Sequence, residues 1–355
     1  MPVEISKRDY SLVGRDSKLA EERGLANAEW YSCKIARSKL KEFMQRQDAP
    51  AIRDTLIWFA ALIITGTLGF LAWGSWWAVP CFAVYGAIYG SSSGSRWHEC
   101  CHRTAFKTAW MNDALYEIAA FMRFFESVPR RRSHIRHHTD TLVVGRDPEI
   151  AAPRPSDLPV LALDFFSLVR VPTEFGHMVL HCFRRLTAAE KTFVPDEERH
   201  KVYRNARIYI LIYTAAIGLS IATRSILPLM YIGVPAFYGG WLMFVFSFTQ
   251  HAGLAEDVLD HRLNCRTIYM NPIFRFFYWE MNYHVEHHMF PMVPYHALGK
   301  LHKELKADMP KAYDGLWDAY REIIPTIVRE VKDPTYFVRR ELPVTAQPVS
   351  SLEPS

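Results

Sequence analysis

Eight of the fifteen histidines lie in three short clusters, which we call the histidine boxes. Each box spaces its rings by three or four residues, or places two of them side by side, and residues at spacings of three and four share one face of a helix. A helical box therefore points its imidazoles toward one place. The boxes are His98 and His102 in HECCH; His134, His137 and His138 in HIRHH; and His284, His287 and His288 in HVEHH.

So many clustered imidazoles predict a metal centre rather than core packing. A buried neutral ring needs one donor and one acceptor partner, and a metal binds the acceptor nitrogens of several rings at once. Imidazole suits zinc, iron, copper and nickel, and eight rings are too many for one four-coordinate zinc. Eight rings could hold two metal ions and leave coordination positions free for oxygen, which favours oxygen activation by iron. Ligand type alone does not exclude zinc or copper.

Four apolar segments are expected to position the boxes. Each is close to the length of about 20 residues that crosses a bilayer. The segments are 56–73, 76–95, 206–223 and 226–248. Lys and Arg flank them on one side, so the positive-inside rule places both termini and all three boxes in the cytoplasm. The predicted fold is an all-α integral membrane protein with four transmembrane helices in two hairpins.

The spans divide the chain into four predicted parts. They are a cytosolic N-terminal helical segment, 1–53; the two transmembrane hairpins with the intervening box segment, 54–251; a cytosolic C-terminal cap with the third box, 252–340; and a disordered tail, 341–355. No cleaved signal peptide is evident, because no basic stretch precedes an apolar one at the N-terminus. The six cysteines lack C-x-x-C spacing and are expected to be free thiols. We expect no nucleic-acid partner.

The order of the boxes, H-x-x-x-H, H-x-x-H-H and H-x-x-H-H after hydrophobic hairpins, resembles the membrane fatty acid desaturase and hydroxylase superfamily. The resemblance covers about 56–302, and NYHVEHHMFPMVPYHALGKLH is similar to bacterial desaturase-type proteins. It implies a helical cap on the cytosolic side, a di-iron site, oxygen as co-substrate and a bacterial inner membrane location. It also implies a ninth ligand, His251, while Ser247 stands where stearoyl-type desaturases have an Asn that contributes through water.

Carboxylates near the boxes are candidates for orienting the rings. A ligating histidine usually donates its second N–H to a carboxylate or carbonyl, which fixes the ring. Glu99, Asp140 and Glu286 are nearest in sequence, with Asp113 and Glu280 as reserves. Spacing alone does not choose among them, since each is equally plausible as an exposed charge on a helix.

The resemblance implies an oxygen-dependent desaturase that introduces a C=C bond into a fatty acyl chain. Its electrons would come from a separate ferredoxin- or rubredoxin-type protein. Two alternatives within the family stay open: a desaturase of a small polar metabolite such as dihydrorhizobitoxine, and a hydroxylase. A membrane metal-binding or transport protein is a remote alternative, because transporters place ligands within the spans and these boxes lie at their cytoplasmic ends.

Two further patterns leave their roles open. Four arginines in PRRRSHIRHH could dock an acidic electron donor, bind an anionic group of the substrate, or meet anionic lipid headgroups. They are Arg130, Arg131, Arg132 and Arg136. His177 and His181 form another H-x-x-x-H, which we expect on an interfacial helix without a metal.

Overall fold

A computed structural model describes residues 8–344, and within that range the chain is α-helical, with two isolated β-bridges and no strand. The helices are α1 Arg15–Glu22, α2 Arg37–Phe43, α3 Asp48–Leu71, α4 Ala78–Cys101, α5 Ala109–Met122, α6 Ser127–Thr139, α7 Leu158–Asp164, α8 Arg170–Cys182, α9 Arg199–Thr223, α10 Leu227–Tyr231, α11 Pro235–Tyr238, α12 Trp241–His251, α13 His261–Asn264, α14 Pro272–Tyr278, α15 His284–Met289, α16 Tyr295–Leu305 and α17 Leu316–Lys332. The all-α prediction is confirmed. Of the predicted tail, 345–355 lies outside the described residues.

The first predicted hairpin is formed by α3 and α4, each 24 residues long. At a rise of 1.5 Å per residue each helix is about 36 Å long, enough to cross a bilayer. Gly74 turns the chain between them with a φ of +86°, a backbone conformation that side chains disfavour. The helices pack closely, because a Cβ on Gly69 would lie 2.9 Å from the Phe82 ring.

The fourth predicted span, 226–248, is not one helix. It is divided into α10, α11 and α12, and Gly233, with a φ of +92°, separates the first two pieces. Pro235 opens α11 because its fixed φ suits the first turn of a helix. Gly239 follows, and it packs so tightly on α4 that a Cβ there would lie 1.8 Å from the Gly86 carbonyl oxygen. Apolar composition predicted a continuous span and did not account for these breaks.

Two segments are long and apolar enough to cross a membrane within the described part of the chain, Arg37–Leu71 and Asp196–Thr223. The outward-facing side chains of α3 and α9 are apolar, as those of a lipid-facing helix are. Leu56 and Leu211, for example, are 63 % and 69 % exposed. The C-terminal half of α4 is instead rich in serine and glycine and is buried inside the protein. The four-span topology remains a prediction.

The main core surrounds α4, which packs against α3, α5, α11, α12 and α14. Trp58 of α3 is fully buried in that core and donates its indole N–H to the carbonyl of Ile88, at 3.3 Å. The antiparallel bridge between Thr267 and Tyr283 precedes α15 directly. These contacts hold the middle of α4 and the start of α15. The first box lies at the end of α4, and the third box begins where α15 begins.

Candidate metal centre

The three boxes meet at one place because three helices end or begin there. Helix α4 ends at Cys101 with His98 in its last turn and His102 as the following residue, α6 carries the second box, and α15 carries the third. The last residue of α12 is His251, the ninth histidine of the sequence prediction. The helical spacing predicted from the sequence therefore turns each box toward the others.

Five of the nine imidazoles form a first group, in which the possible ligand nitrogens all lie within 4.8 Å of one another. Its members are His98, His102, His134, His138 and His287. The Nε2 atoms of His98 and His287 are 2.8 Å apart, those of His102 and His134 3.1 Å, and those of His134 and His138 3.2 Å. All three boxes contribute to this group.

The other four imidazoles form a second group that meets the same criterion. Its members are His137, His251, His284 and His288. Nε2 of His284 lies 2.9 Å from Nε2 of His251 and 3.0 Å from Nε2 of His288. The structure thus brings together every histidine that the sequence nominated as a ligand, divided five and four.

The spacing of these nitrogens fits bound metal ions. With metal–nitrogen bonds of about 2.1 Å, neighbouring ligands at right angles around one ion lie about 3.0 Å apart. The five Nε2–Nε2 separations given above run from 2.8 to 3.2 Å. Several of the outward Nδ1 atoms are held by hydrogen bonds, so the Nε2 atoms that face inward are the available donors. An all-imidazole donor set of this size suits two first-row ions such as iron.

Electrostatics keeps most of the rings neutral, which is the form that binds metal. Burial, reinforced by neighbouring imidazoles, lowers the pKa of His134, His138, His284 and His288 well below the usual histidine range. His137 differs: burial lowers its pKa, but the Asp147 carboxylate outweighs that effect and the net shift is upward.

Two acidic residues after α6 orient the second box. Both Asp147 carboxylate oxygens accept from Nδ1 of His137, at 2.9 and 3.0 Å, and a Glu149 oxygen lies 3.2 Å from Nδ1 of His134. Asp147 also accepts the backbone N–H groups of Leu142 and Glu149, at 2.8 Å each, which fixes the loop that carries it. The sequence prediction missed both residues.

Two ligands of the second group are oriented by neutral oxygens. Nδ1 of His251 donates to the carbonyl of Asn264 at 2.9 Å, and Nδ1 of His288 lies 3.1 Å from the Thr141 hydroxyl. We call the space enclosed by the nine imidazoles the cage. Together with Asp147 and Glu149, these contacts leave Nε2 of four rings pointing into it, those of His134, His137, His251 and His288.

The three carboxylates predicted from sequence bind other groups. Glu99 accepts from Thr104 and from the backbone of Tyr295, at 2.7 and 3.0 Å. Asp140 pairs with Arg136 and Arg146, and Glu286 accepts from Thr267 and His302. The prediction is corrected for a geometric reason: Glu99 and Glu286 are next to a ligand in sequence but about 100° further round the helix.

The two further candidates from the sequence, Asp113 and Glu280, also form contacts away from the box histidines. Asp113 pairs with Arg103 and Arg131, and Glu280 pairs with Arg275. Both acids therefore stabilise local surface geometry by ion pairs, not the orientation of a box histidine.

A third group of possible ligands, His261, Cys265 and His288, adjoins the second group. His261 is buried and stacks on Trp30, with ring centroids 4.2 Å apart. No spacing pattern in the sequence links His261 to Cys265. Burial raises the pKa of the Cys265 thiol well above its usual range, so the thiol form is favoured there.

His177 and His181 lie outside the cage. His181 is buried between Glu126 and Glu190, with its Nε2 3.1 Å from a Glu190 oxygen. His177 is half-buried beside the same Glu190.

A cavity of about 440 Å³ opens onto both groups. Its lining includes His98 and His134 from the first group and His137 and His251 from the second. Ser247, which lies one helical turn before His251 on α12, lines it as well. A molecule in this cavity would contact histidines of both groups at once.

Comparisons with known proteins agree with this geometry. The family model described as Fatty acid desaturase matches residues 74–320, which contain all three boxes and His251. The Delta(5) fatty acid desaturase fat-4 of Caenorhabditis elegans is 28 % identical over 234 residues, which cover 57 % of this chain and 51 % of the relative. The chain thus spans about half the length of this curated relative.

Proposed function

We propose, on the premise that this chain belongs to the fatty acid desaturase family, that it is an oxygen-dependent di-iron desaturase. The observation that carries the proposal is the five-plus-four division of the nine imidazoles around one cavity. An all-histidine set of this size, held by buried acids on its outer nitrogens, is suited to two iron ions.

The iron ions, when bound, supply the oxidant for an unactivated C–H bond, chemistry for which no side chain is strong enough. The substrate loses two hydrogen atoms to form the double bond. Oxygen, together with two electrons from a donor and two protons, becomes two molecules of water. In this proposal the electrons come from a separate ferredoxin- or rubredoxin-type protein.

The chain's own residues hold the reacting geometry. Asp147 and Glu149 accept the Nδ1 protons of His137 and His134, so that each Nε2 lone pair faces the cage. Thr141 orients His288 in the same way. The core around α4 keeps bulk water away from the rings, because His134, His284 and His287 are each at most 1 % exposed. Rigid ligands of this kind also fix where a substrate carbon can lie.

We place the centre on the cytoplasmic side of a bacterial inner membrane, with four crossings and both termini in the cytoplasm. Two apolar helical segments and the apolar outer faces of α3 and α9 support a membrane location. The distribution of Lys and Arg supports the orientation.

The test combines metal analysis with product analysis of the purified protein. We expect about two irons per chain. With reduced ferredoxin and oxygen, we expect a product lighter than its substrate by two hydrogen atoms. A product heavier by one oxygen atom would make the protein a hydroxylase. Zinc alone, or no metal, would contradict the proposal.

A further inference from the structure

The cavity at the metal centre is lined by an unusual number of charged side chains. Four arginines reach it, and so do several acids. They are Arg123, Arg130, Arg154 and Arg170, with Glu149, Asp164, Glu174, Glu256 and Glu330. Covering such groups with methylene chain would remove them from water without replacing their hydrogen bonds, at a cost of a few kcal/mol for each unpaired group (about 1–3). A long acyl chain is therefore a poor match for this wall.

Arg123 is the most informative of these groups. It is 5 % exposed, and its Nη1 donates to the carbonyl of Gly90 at 3.2 Å. Its buried Nε has no hydrogen-bond partner among the described residues. The carboxylate that acts on it electrostatically is that of Asp164, which forms no hydrogen bond with it in the described part of the chain. Burial, and then the neighbouring Arg170, lower the pKa of this guanidinium, and Asp164 opposes that shift without reversing it. A buried guanidinium with an unpartnered N–H and no direct ion pair is an arrangement that a bound anion would complete.

Arg170 lies beside it on the same wall. Its Nη1 donates to the backbone carbonyl of Arg123 at 2.9 Å, and its Nη2 donates to the Ser167 hydroxyl at 2.7 Å. The nearest acids on that wall are Asp164, which accepts from the backbone N–H of Arg170, and Glu174. Burial lowers the pKa of Arg170, and these two carboxylates oppose that shift, but neither forms a direct ion pair with Arg170 in the described part of the chain.

The remaining charges mostly neutralise one another. Arg154 pairs with Glu256 at 2.8 Å, and Arg130 pairs with Glu149 at 3.2 Å. Glu330 keeps one buried oxygen without a partner among residues 8–344, so the cavity also offers an acceptor for a donor group. Phe244 and Phe248 add an apolar side to the lining.

We infer that the substrate is a small polar metabolite whose carboxylate is bound by Arg123 and Arg170, with its aliphatic part at the histidine groups. This inference rests on the proposed desaturase function and names its substrate class. Of the two substrate classes left open by the sequence, it selects the small metabolite. The cavity volume of about 440 Å³ lies within the range of about 300–1,000 Å³ that small-molecule pockets have.

The two arginines of this anion site, Arg123 and Arg170, do not belong to the arginine run PRRRSHIRHH noted in the sequence. Arg131 pairs with Asp113, Arg132 with Glu198 and Arg136 with Asp140. Only Arg130 of that run lines the cavity, while Arg123 and Arg170 come from outside it. The anion site is thus assembled from the end of α5 and the start of α8.

The test measures binding to the full-length, iron-loaded protein in lipid nanodiscs by calorimetry, with hexanoate as the probe and hexanamide as its neutral match. We expect hexanoate to bind about tenfold or more tightly than hexanamide, because a hydrogen bond to a charged group contributes about 1.5–3 kcal/mol. Arg170→Gln should abolish that preference. The matched control is Arg207→Gln, since Arg207 also donates to a backbone carbonyl but is exposed on α9.

Equal binding of the two probes by the wild-type protein, or no binding of hexanoate, would overturn the inference without any variant. Nanodiscs made from stearoyl phosphatidylcholine provide a second arm, read by mass spectrometry of the lipids after reaction. Desaturated stearoyl chains, formed equally by wild type and Arg170→Gln, would leave the proposed function standing and the substrate class wrong. If the protein binds hexanoate selectively but cannot be loaded with iron, the proposed desaturase function is wrong and the anion site stands.

Discussion

Two segments of this chain carry the same H-x-x-x-H spacing on a helix and have opposite chemical surroundings. His98 and His102 at the end of α4 face other imidazoles, and their Nε2 atoms lie 2.8 and 3.1 Å from those of His287 and His134. His181 on α8 is also buried, yet both of its ring nitrogens face carboxylates, those of Glu126 and Glu190.

The surroundings decide which form of the ring is stable. Burial lowers the pKa of His181, but its hydrogen bonds to the Glu126 and Glu190 carboxylates and their negative charge outweigh that effect and raise the pKa to about 9. In the cage, burial and neighbouring imidazoles act in the same direction, and the pKa of His134 falls well below its usual range. A protonated ring has no lone pair for a metal, so equal spacing leads to an ion pair at one site and to neutral rings that could bind a metal at the other.

The largest effect is expected from removing a ligand that links boxes. In His287→Ala, the first group loses the ring that faces His98. We expect the bound iron to fall by about half or more and turnover to fall more than about 100-fold, because loss of an orienting partner alone costs about 10–100-fold. Iron per chain and product formation are the two measurements.

The matched control is His181→Ala, which removes an equally buried histidine at the same kind of spacing. It should keep the full iron content. If His287→Ala keeps its iron and its activity, the box histidines do not bind the metal. If His181→Ala loses iron, His181 has a role beyond its ion pair with the two glutamates.

The next effect tests which acid orients the second box. Asp147→Asn leaves a side chain of the same size but weakens the contact with Nδ1 of His137. We expect metal affinity or turnover to fall by about 10–100-fold. Asp140→Asn is the control, because Asp140 lies two residues after the box but pairs with Arg136 and Arg146. Iron titration of both variants measures the change in metal affinity. An equal loss of affinity in the two variants would favour Asp140, the acid named from the sequence, as an orienting residue.

The sequence predicted the box helices well because helical spacing determines which rings share a face. It did not predict the orienting acids, since Asp147 is ten residues from His137 and reaches it only after the loop folds back. Gly145 makes that return possible with a φ of +75°, and a Cβ there would lie 2.4 Å from the backbone nitrogen of Ser17. Such a contact between distant segments leaves no periodic signal.

A similar limit applies to the fold and to the cavity. Hydropathy predicted one helix over 226–248, but tight packing of Gly239 on α4 and the positive φ of Gly233 divide it. Arg123 and Arg170 are 47 residues apart in sequence and carry no motif, so their pairing on one wall follows only from the tertiary structure.

A smaller effect is expected in the pH dependence of stability. The pKa of His181 is raised to about 9, so its stabilisation is fully present below about pH 6.5 and is lost as the pH rises through 9. Burial raises the pKa of Glu126 to about 7, and that effect has the same sign. Between pH 7 and 9.5, we expect the wild-type melting temperature to fall about 2–6 °C more than that of His181→Gln. Parallel curves for the two proteins would show that His181 is not charged in the folded state.

The smallest effect is expected from His177→Ala, which separates the two halves of the α8 pair. The His177 side chain is 34 % exposed, and its Nδ1 lies 3.7 Å from the Glu190 carboxylate, whereas His181 is buried between two acids. Exposed ion pairs contribute about 0–1 kcal/mol, so the melting temperature should change by less than about 3 °C with no change in iron. Thermal unfolding of both single variants at pH 7 provides the comparison. A loss at His177 as large as that at His181 would mean that spacing on the helix, and not burial between carboxylates, determines the stability of this pair.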